Sequence, residues 1–429
     1  MRIRDISSTA AGLVDNLRNN AFVRNGFSYT LSSFAMGVLS YFFNVFVARS
    51  FALELYGEYA SALAYIAFFS VPLTAFTAVV IRKVGAIPLP ERSQYARRLF
   101  TGLLQAAKLH GFWVLSGAAV GVIGLIQVAN VTFLSSLFIV LMTVLAYVSS
   151  YCLAVLQAKK DFDRAGLFLI VSSGLKLCIG GLSLIWLAAL PVLYAALLVV
   201  TGLSLWFGLR LALPARAQAS VQTPRFSLSR ILRTQSVVVP LISAVGMIGL
   251  INIDVMMAKI VLSPDDAGLY AGLSLLGKIV YYLSSPVISV AYTFFIDAGT
   301  EAKRRIFLLI SASAMALAGA GATALYALLH DQLVALVFDE RYLAIAPYAV
   351  LAGIFGGLFA LVALLTQFYM AKLSRVSWLP VFACIAQVVF IALLPHTITA
   401  IIICNIVLVA TLVLAYGAVF LLESRQDRI

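Results

Sequence analysis

Two lysines stand where a lysine is costly. Lys176, in the stretch SSGLKLCIGG, and Lys278, in LSLLGKIVYY, each fall near the middle of a long apolar run. If those runs are membrane helices, both side chains lie about 15 Å deep at 1.5 Å of rise per residue. An ionised group there costs roughly 2.5–3.5 kcal/mol on insertion scales unless it faces a partner or water. Neither lysine is near enough to an interface to snorkel. With no carboxylate close in sequence, the pair suggests a wet, cationic cavity. A pyrophosphate would suit it: at about 4 Å and an effective dielectric near 20, each opposite-charge pair contributes about 4 kcal/mol before desolvation. The alternative is a lysine neutralised by burial, or paired with a distant acid for structure.

Asp254, in GLINIDVMMAK, is the one carboxylate well inside an apolar run. With Asn252 it could form a proton or cation site, its counterpart in the first half of the chain being Asn44. A salt bridge to a lysine across the cavity is the preferred alternative. Arg49 and Lys259 occupy matching places in the two halves, and either guide an anionic group out of the cavity or anchor helix ends. Lys108 follows the basic segment 92–98 and reads first as part of an amphipathic helix extension, with cavity contact as the other possibility. Arg82 and Lys83 read as topology determinants. Pro72 and Pro286 lie in corresponding helices, where a missing hydrogen bond permits either a hinge or a static kink. The aromatic clusters Tyr41-Phe42-Phe43 and Tyr281-Tyr282 fit packing or an interfacial belt better than stacking on sugars.

The elements that position these residues follow from composition. The chain has 429 residues, 63% hydrophobic and 11% charged, with a mean hydropathy of +1.04. A soluble domain carries about 25% charge to solvate its surface, so lipid must solvate most of this chain. Apolar runs of about 20 residues predict helices and not the roughly 10-residue alternating strands of outer-membrane barrels. Twelve spans are expected, at roughly 27–49, 56–82, 99–128, 131–157, 166–189, 191–213, 236–261, 264–296, 304–329, 343–371, 375–395 and 397–422. Of the thirty Lys and Arg residues, twenty-four then fall on one side and three, Arg49, Lys259 and Arg341, on the other. That asymmetry predicts both termini in the cytoplasm and explains the net charge of +13 without nucleic acid. The four cysteines lie in apolar runs without metal spacing and read as core residues. The polar N-terminus has no signal-peptide pattern. Its Ile6, Ala10, Leu13 and Leu17 fit a short surface helix.

The longest polar connection, 214–235, divides the chain into halves of six spans each. The expected organisation is an interfacial N-terminal segment (1–26), an N-lobe (27–213), a cytoplasmic linker (214–235), a C-lobe (236–422) and a tail (423–429). An even number of spans per half gives both halves one orientation, related by an axis along the membrane normal, around a central cavity. A repeat supports this. VARSFALELYGEYA at 47–60 returns as VMMAKIVLSPDDAGLYA at 255–271. Ala48-Arg49 matches Ala258-Lys259, and Gly57-Glu58-Tyr59-Ala60 matches Gly268-Leu269-Tyr270-Ala271. In the second copy Ser263-Pro264-Asp265-Asp266 is a good helix start. Gly57 and Gly268 therefore belong to the opening of a helix, where glycine permits close approach to a neighbour.

These residues resemble the outer hairpin of oligosaccharide flippases, the polysaccharide-export branch of the MOP superfamily (multidrug, oligosaccharidyl-lipid and polysaccharide exporters). The resemblance covers essentially the whole chain through loose patterns without a catalytic signature. It implies an all-α, MATE-like transporter of the bacterial inner membrane, functional as a monomer. Such a protein moves undecaprenyl-pyrophosphate-linked oligosaccharide to the outer leaflet by alternating access, for O-antigen, capsule or exopolysaccharide synthesis. The implied partners are the lipid-linked oligosaccharide, membrane lipids, and a polysaccharide polymerase and chain-length regulator. No cofactor is implied, and proton or sodium coupling remains open. Two rivals remain: a multidrug or small-molecule cation antiporter of the same superfamily, expected to bury several acids, and a membrane O-antigen polymerase or ligase. The second would need a large polar outer loop, and the longest here is only HDQLVALVFDERY. No nucleophile constellation appears, so no enzyme is expected.

Overall fold

The computed structural model describes residues 21–185, 189–213, 235–297 and 300–426. The proposed surface helix at the N-terminus and nearly all of the 214–235 linker lie outside these residues. Fourteen α-helices account for almost everything described, with no strand among the described residues. In the first half these are α1 (Ala21–Ser50), α2 (Leu53–Phe69), α3 (Pro72–Gly85), α4 (Arg92–Leu109), α5 (Gly111–Ala129), α6 (Phe133–Ala158), α7 (Phe162–Ser183) and α8 (Leu190–Ala212). The second half comprises α9 (Gln235–Val261), α10 (Pro264–Asp297), α11 (Glu301–Val337), α12 (Ala349–Ala371), α13 (Leu379–Leu393) and α14 (Ile398–Gln426). Helices are required because lipid offers the main chain no partners, so each span must close its hydrogen bonds internally.

Ten of the described helical segments are long and apolar enough to cross a membrane. The second and third expected spans are each broken in two. The second stops at Ser70-Val71 and restarts as α3 with Pro72 at its first position, where the missing N–H leaves no helical bond unmade. The third turns at His110 (φ −97°, ψ 18°) between α4 and α5. Lys108 is exposed in the last turn of α4, which agrees with an amphipathic extension and not with a cavity position. Pro286, by contrast, sits inside an unbroken α10. A kink that the sequence gives no sign of lies in α11, at Leu329 (φ −130°, ψ 26°).

The halves repeat in backbone as well as sequence. Ser263 caps α10, its hydroxyl accepting from the Asp266 N–H at 3.2 Å and donating to the Asp266 carboxylate at 2.7 Å. Gly57 is the fifth residue of α2 and Gly268 the fifth of α10. A second repeat appears where the fourth span of each half ends. Lys160 (φ 60°) and Leu373 (φ 52°) both take the left-handed conformation. The next N–H then reaches back to close the helix, Asp161 to the Leu156 carbonyl and Ser374 to the Tyr369 carbonyl, both at 3.0 Å. The preceding lysines each tie down the sixth span of their half: Lys159 donates to the Ala212 carbonyl at 3.2 Å, and Lys372 to the Glu423 carboxylate at 2.8 Å.

The halves meet at one end of the bundle, where the two copies of the repeat touch. A Cβ built on Gly57 would lie 2.8 Å from the Gly268 nitrogen, and one on Gly268 would overlap the Leu53 carbonyl. Helices α2 and α10 thus cross at main-chain distance, and any side chain would force them apart. Around this contact Met256 of α9 packs on a cluster of Ala62, Tyr65, Leu125 and Ile139. Replacing Gly268 with Ala overpacks this crossing, a change that costs about 1–3 kcal/mol in a tight core. Gly268→Ala should lower the thermal unfolding midpoint in detergent, whereas Gly102→Ala, which meets open space, should not.

Candidate functional site

Away from the touching ends, α1 and α10 leave a cleft of about 510 Å³ between the halves. Ser33, Phe34, Met36, Gly37, Val38, Ser40, Tyr41, Phe42 and Asn44 line it from α1, and Ile279, Tyr282, Leu283 and Ser285 from α10. The lining is mostly apolar with a few polar groups, the usual character of a ligand site. The Tyr41 hydroxyl is buried there without a hydrogen-bond partner, which leaves a donor for a guest. The aromatic clusters divide: Tyr41, Phe42 and Tyr282 face the cleft. Phe43 and Tyr281 pack instead against Tyr59 and Phe359, at centroid distances of 6.3 and 4.9 Å.

Neither mid-span lysine lines this cleft, but both lie on helices at its level. Lys278, Tyr282 and Ser285 follow i, i+4, i+7 spacing and share one face of α10. Lys176 lies on α7, which packs along α1, with Gly166 against Ser32 and Gly180 against Phe43. Those two contacts place Lys176 level with the α1 residues that line the cleft. Both lysines are half-buried, and among the described residues neither has a hydrogen bond or an ion pair within 4 Å.

Asp254 does not supply a salt bridge. It is fully buried, and its Oδ2 accepts from the Tyr270 hydroxyl at 2.9 Å and the Ser274 hydroxyl at 3.0 Å. No lysine or arginine nitrogen lies within 4 Å of it among the described residues, although Lys278 is only one helical turn beyond Ser274. The network continues inward. Asn405 donates to the Tyr270 oxygen at 2.8 Å, and Gln387 donates to Asn405 Oδ1 at 2.8 Å and to the Leu250 carbonyl at 3.1 Å. Asp254 Oδ1 and Gln387 Oε1 are buried without a partner. Asn252, expected beside Asp254, instead donates to the Ile248 carbonyl of its own helix, and Asn44 likewise to Ser40. The amides that serve Asp254 are thus Asn405 and Gln387. Each is an isolated amide in an otherwise apolar span, a signal present in IIICNIVLV and CIAQVVF.

A second buried acid belongs to the repeat itself. The Glu58 carboxylate accepts from the Thr132 hydroxyl at 2.5 Å and from the Ser135 hydroxyl, which also meets the Tyr194 hydroxyl at 2.9 Å. It thereby fastens α2 to the start of α6, where the helix N-terminus favours negative charge. Arg49 leaves the cleft altogether. Its side chain donates to the carbonyls of Val337, at 3.0 Å, and Leu336 in the other half. Lys259 is half-buried near the end of α9, without a hydrogen bond or ion pair among the described residues. Its match to Arg49 is therefore one of sequence and not of contacts.

No protein-family profile matches the sequence, and no curated protein sequence is similar to it. Solved structures do share the fold. One is a lipid II flippase, MurJ, in an inward closed conformation: TM-score 0.70, 10% identity, covering 90% of this chain and 86% of that one. Another is an inward-facing multidrug resistance MATE family transporter of the MOP superfamily: TM-score 0.62, 14% identity, covering 91% and 94%. A third is a MOP superfamily transporter from Pyrococcus furiosus described as having a binding pocket of reverse polarity: TM-score 0.56, 15% identity, covering 93% and 95%. At these identities the likeness is one of fold. The chain is a polytopic, all-helical membrane protein with the architecture of MOP transporters.

The buried network gives a test of its own. Asn405→Ala removes one hydrogen bond from the Tyr270 hydroxyl, which keeps Asp254, and one from Gln387, which keeps the Leu250 carbonyl, and each such bond contributes about 0.5–1.5 kcal/mol. Asn405→Ala should therefore lower the thermal unfolding midpoint clearly more than Asn252→Ala, which loses only a bond within its own helix.

Proposed function

We propose that this protein is a flippase for an undecaprenyl-pyrophosphate-linked oligosaccharide in a bacterial inner membrane. The observation that carries the reading is the pairing of a mostly apolar cleft between α1 and α10 with two unpaired lysines beside it. An amphiphilic anion answers both: its isoprenoid tail can lie along Phe34, Val38 and Leu283 while its pyrophosphate is drawn to Lys176 and Lys278. A soluble anion would have no use for the apolar lining, and an uncharged lipid none for the lysines. The fold shared with a lipid II flippase is consistent with such a cargo.

In this reading the basic end of the bundle and both chain termini face the cytoplasm, and the headgroup enters there. The two lobes, 27–213 and 236–422, then tilt about their contact, with Pro72 as one hinge because the helix is already broken there. A static kink at Pro286 fits its uninterrupted helix better. Asp254, buried and with one oxygen unpartnered, is the site at which a proton or sodium ion would couple to the cycle. The flippase acts as a monomer without a cofactor or chemical step, and delivers its cargo to a polysaccharide polymerase and its chain-length regulator.

The second reading is an antiporter for a multidrug-type cation, favoured by the MATE likeness. It would place the carboxylate toward the cargo, whereas Asp254 points into a shell of Tyr270 and Ser274. Uptake of a cationic dye by proteoliposomes decides between the two.

Lys278→Ala and Lys176→Ala should each abolish surface glycan export while the protein still reaches the membrane. Normal export in both would remove the cationic site. Asp254→Asn should lose the dependence of transport on a proton or sodium gradient, and full transport under every gradient tested would end its coupling role.

A further inference from the structure

Three cations break the charge asymmetry of the chain, and two of them, Arg49 and Arg341, join the halves. We propose that these two arginines form a reciprocal clasp that holds the touching end of the lobes shut and must release for the lobes to part. The proposal uses the transporter reading only in requiring two states, and does not depend on the cargo.

Helix α1 ends at Ser50 in one half and α11 at Val337 in the other. Each terminus carries carbonyls with no helical partner and the negative end of a helix dipole. Brought together alone, such ends repel and leave acceptors unmet. The arginines remove both problems by crossing. From α1, Arg49 donates to Leu336 and Val337 at the end of α11. From the 3₁₀ segment after α11 (Glu340–Tyr348), Arg341 donates to the Phe51 carbonyl at 3.0 Å and the Arg49 carbonyl at 2.8 Å. Each guanidinium thus serves two carbonyls of the opposite half, a geometry that needs a planar fork and that a lysine ammonium does not reproduce.

Arg341 is pre-set for the task. The Asp339 carboxylate accepts its Nε at 2.8 Å and its main-chain N–H at 2.9 Å, so Asp339 is part of the clasp and not merely of a solvated loop. Beside it the Tyr342 hydroxyl donates to the Ala48 carbonyl at 3.4 Å, and the Tyr342 ring meets Tyr56 edge-on at 6.1 Å. Every acceptor across the interface is a neutral carbonyl, which water can satisfy once the halves separate. No carboxylate of the opposite half locks either arginine among the described residues, so the clasp can open and reclose.

The test is a distance measurement on the full chain in nanodiscs without substrate. Spin labels at Glu54→Cys and Asp331→Cys, both exposed positions on opposite halves, report the separation of this end once exposed Cys178 is replaced by Ser. Arg49→Ala and Arg341→Ala should each raise the ratio of separated to closed populations by about tenfold or more, tenfold being about 1.4 kcal/mol. Asp339→Asn, which leaves both arginines in place, should shift the same ratio less in the same direction and serves if an arginine variant fails to fold. Distributions matching the parent in all folded variants would overturn the clasp. Because no cargo is present, a failed export assay with intact distance shifts would count against the flippase reading alone.

Discussion

The structure depends on one main-chain contact, the crossing of α2 and α10 at Gly57 and Gly268. Because neither position carries a side chain, the two helix starts approach to main-chain distance, which a Cβ on either would prevent. That approach brings the ends of α1 and α11 within reach of each other's arginines. It also sets the wedge whose opposite side is the cleft between α1 and α10. Glu58, next to Gly57, fastens α2 to α6, and Tyr270, two residues past Gly268, fastens α10 to Asp254 and Asn405. Each half therefore presents a braced helix to the contact, so movement there must be shared by a whole lobe.

The charges sort by what satisfies them. At the basic end, Arg304 and Lys372 converge on Glu301 at 2.7 and 3.0 Å, and Lys372 also reaches Glu423. These pairs tie α11, α12 and α14 together within one lobe. At the touching end, Arg49 and Arg341 find carbonyls. In the spans, Asp254 finds the hydroxyls of Tyr270 and Ser274, with Asn405 and Gln387 behind Tyr270. Lys176 and Lys278 have no hydrogen bond or ion pair within 4 Å among the described residues, Lys278 feeling only the more distant charge of Asp254, although an unpaired ion in lipid is costly. In the proposed reading, two ammonium groups without a close partner at the level of the cleft are a reason for an anion to enter.

The helical class, the division into halves and the special status of Gly57 and Gly268 were legible in the sequence because each rests on a local pattern: run length, charge asymmetry, or a repeated string. Partners were not. Nothing in the sequence joins Arg49 to a carbonyl 288 residues away, so Lys259, its equivalent by alignment, stood as its companion. Asp254 is buried, as its place in an apolar run implies, but the amides behind its partner Tyr270 lie on α13 and α14 and its expected neighbour Asn252 turns back on its own helix. The second repeat escaped because its sequence signal is only Ala158-Lys159 against Ala371-Lys372, while the left-handed residues that define it, Lys160 and Leu373, share no chemistry. Likewise His110 and Leu329 break helices without a proline to mark them.

These placements bear on which cargo the fold serves. A transporter for cations needs acid facing the guest, and the two buried acids here, Glu58 and Asp254, each turn one oxygen to a pair of hydroxyls away from the cleft lining. The polar side chains of the cleft lining are those of Ser33, Ser40, Tyr41, Asn44, Tyr282 and Ser285, with the Tyr41 hydroxyl unpartnered and the lysines set behind the lining. Among these the phenol and the ammonium groups are hydrogen-bond donors, which match phosphate oxygens and sugar hydroxyls. An apolar lining recognises apolar surface and adds no specificity for a polar sugar. Under the flippase proposal, such a lining favours selection by tail and pyrophosphate with tolerance for the sugar.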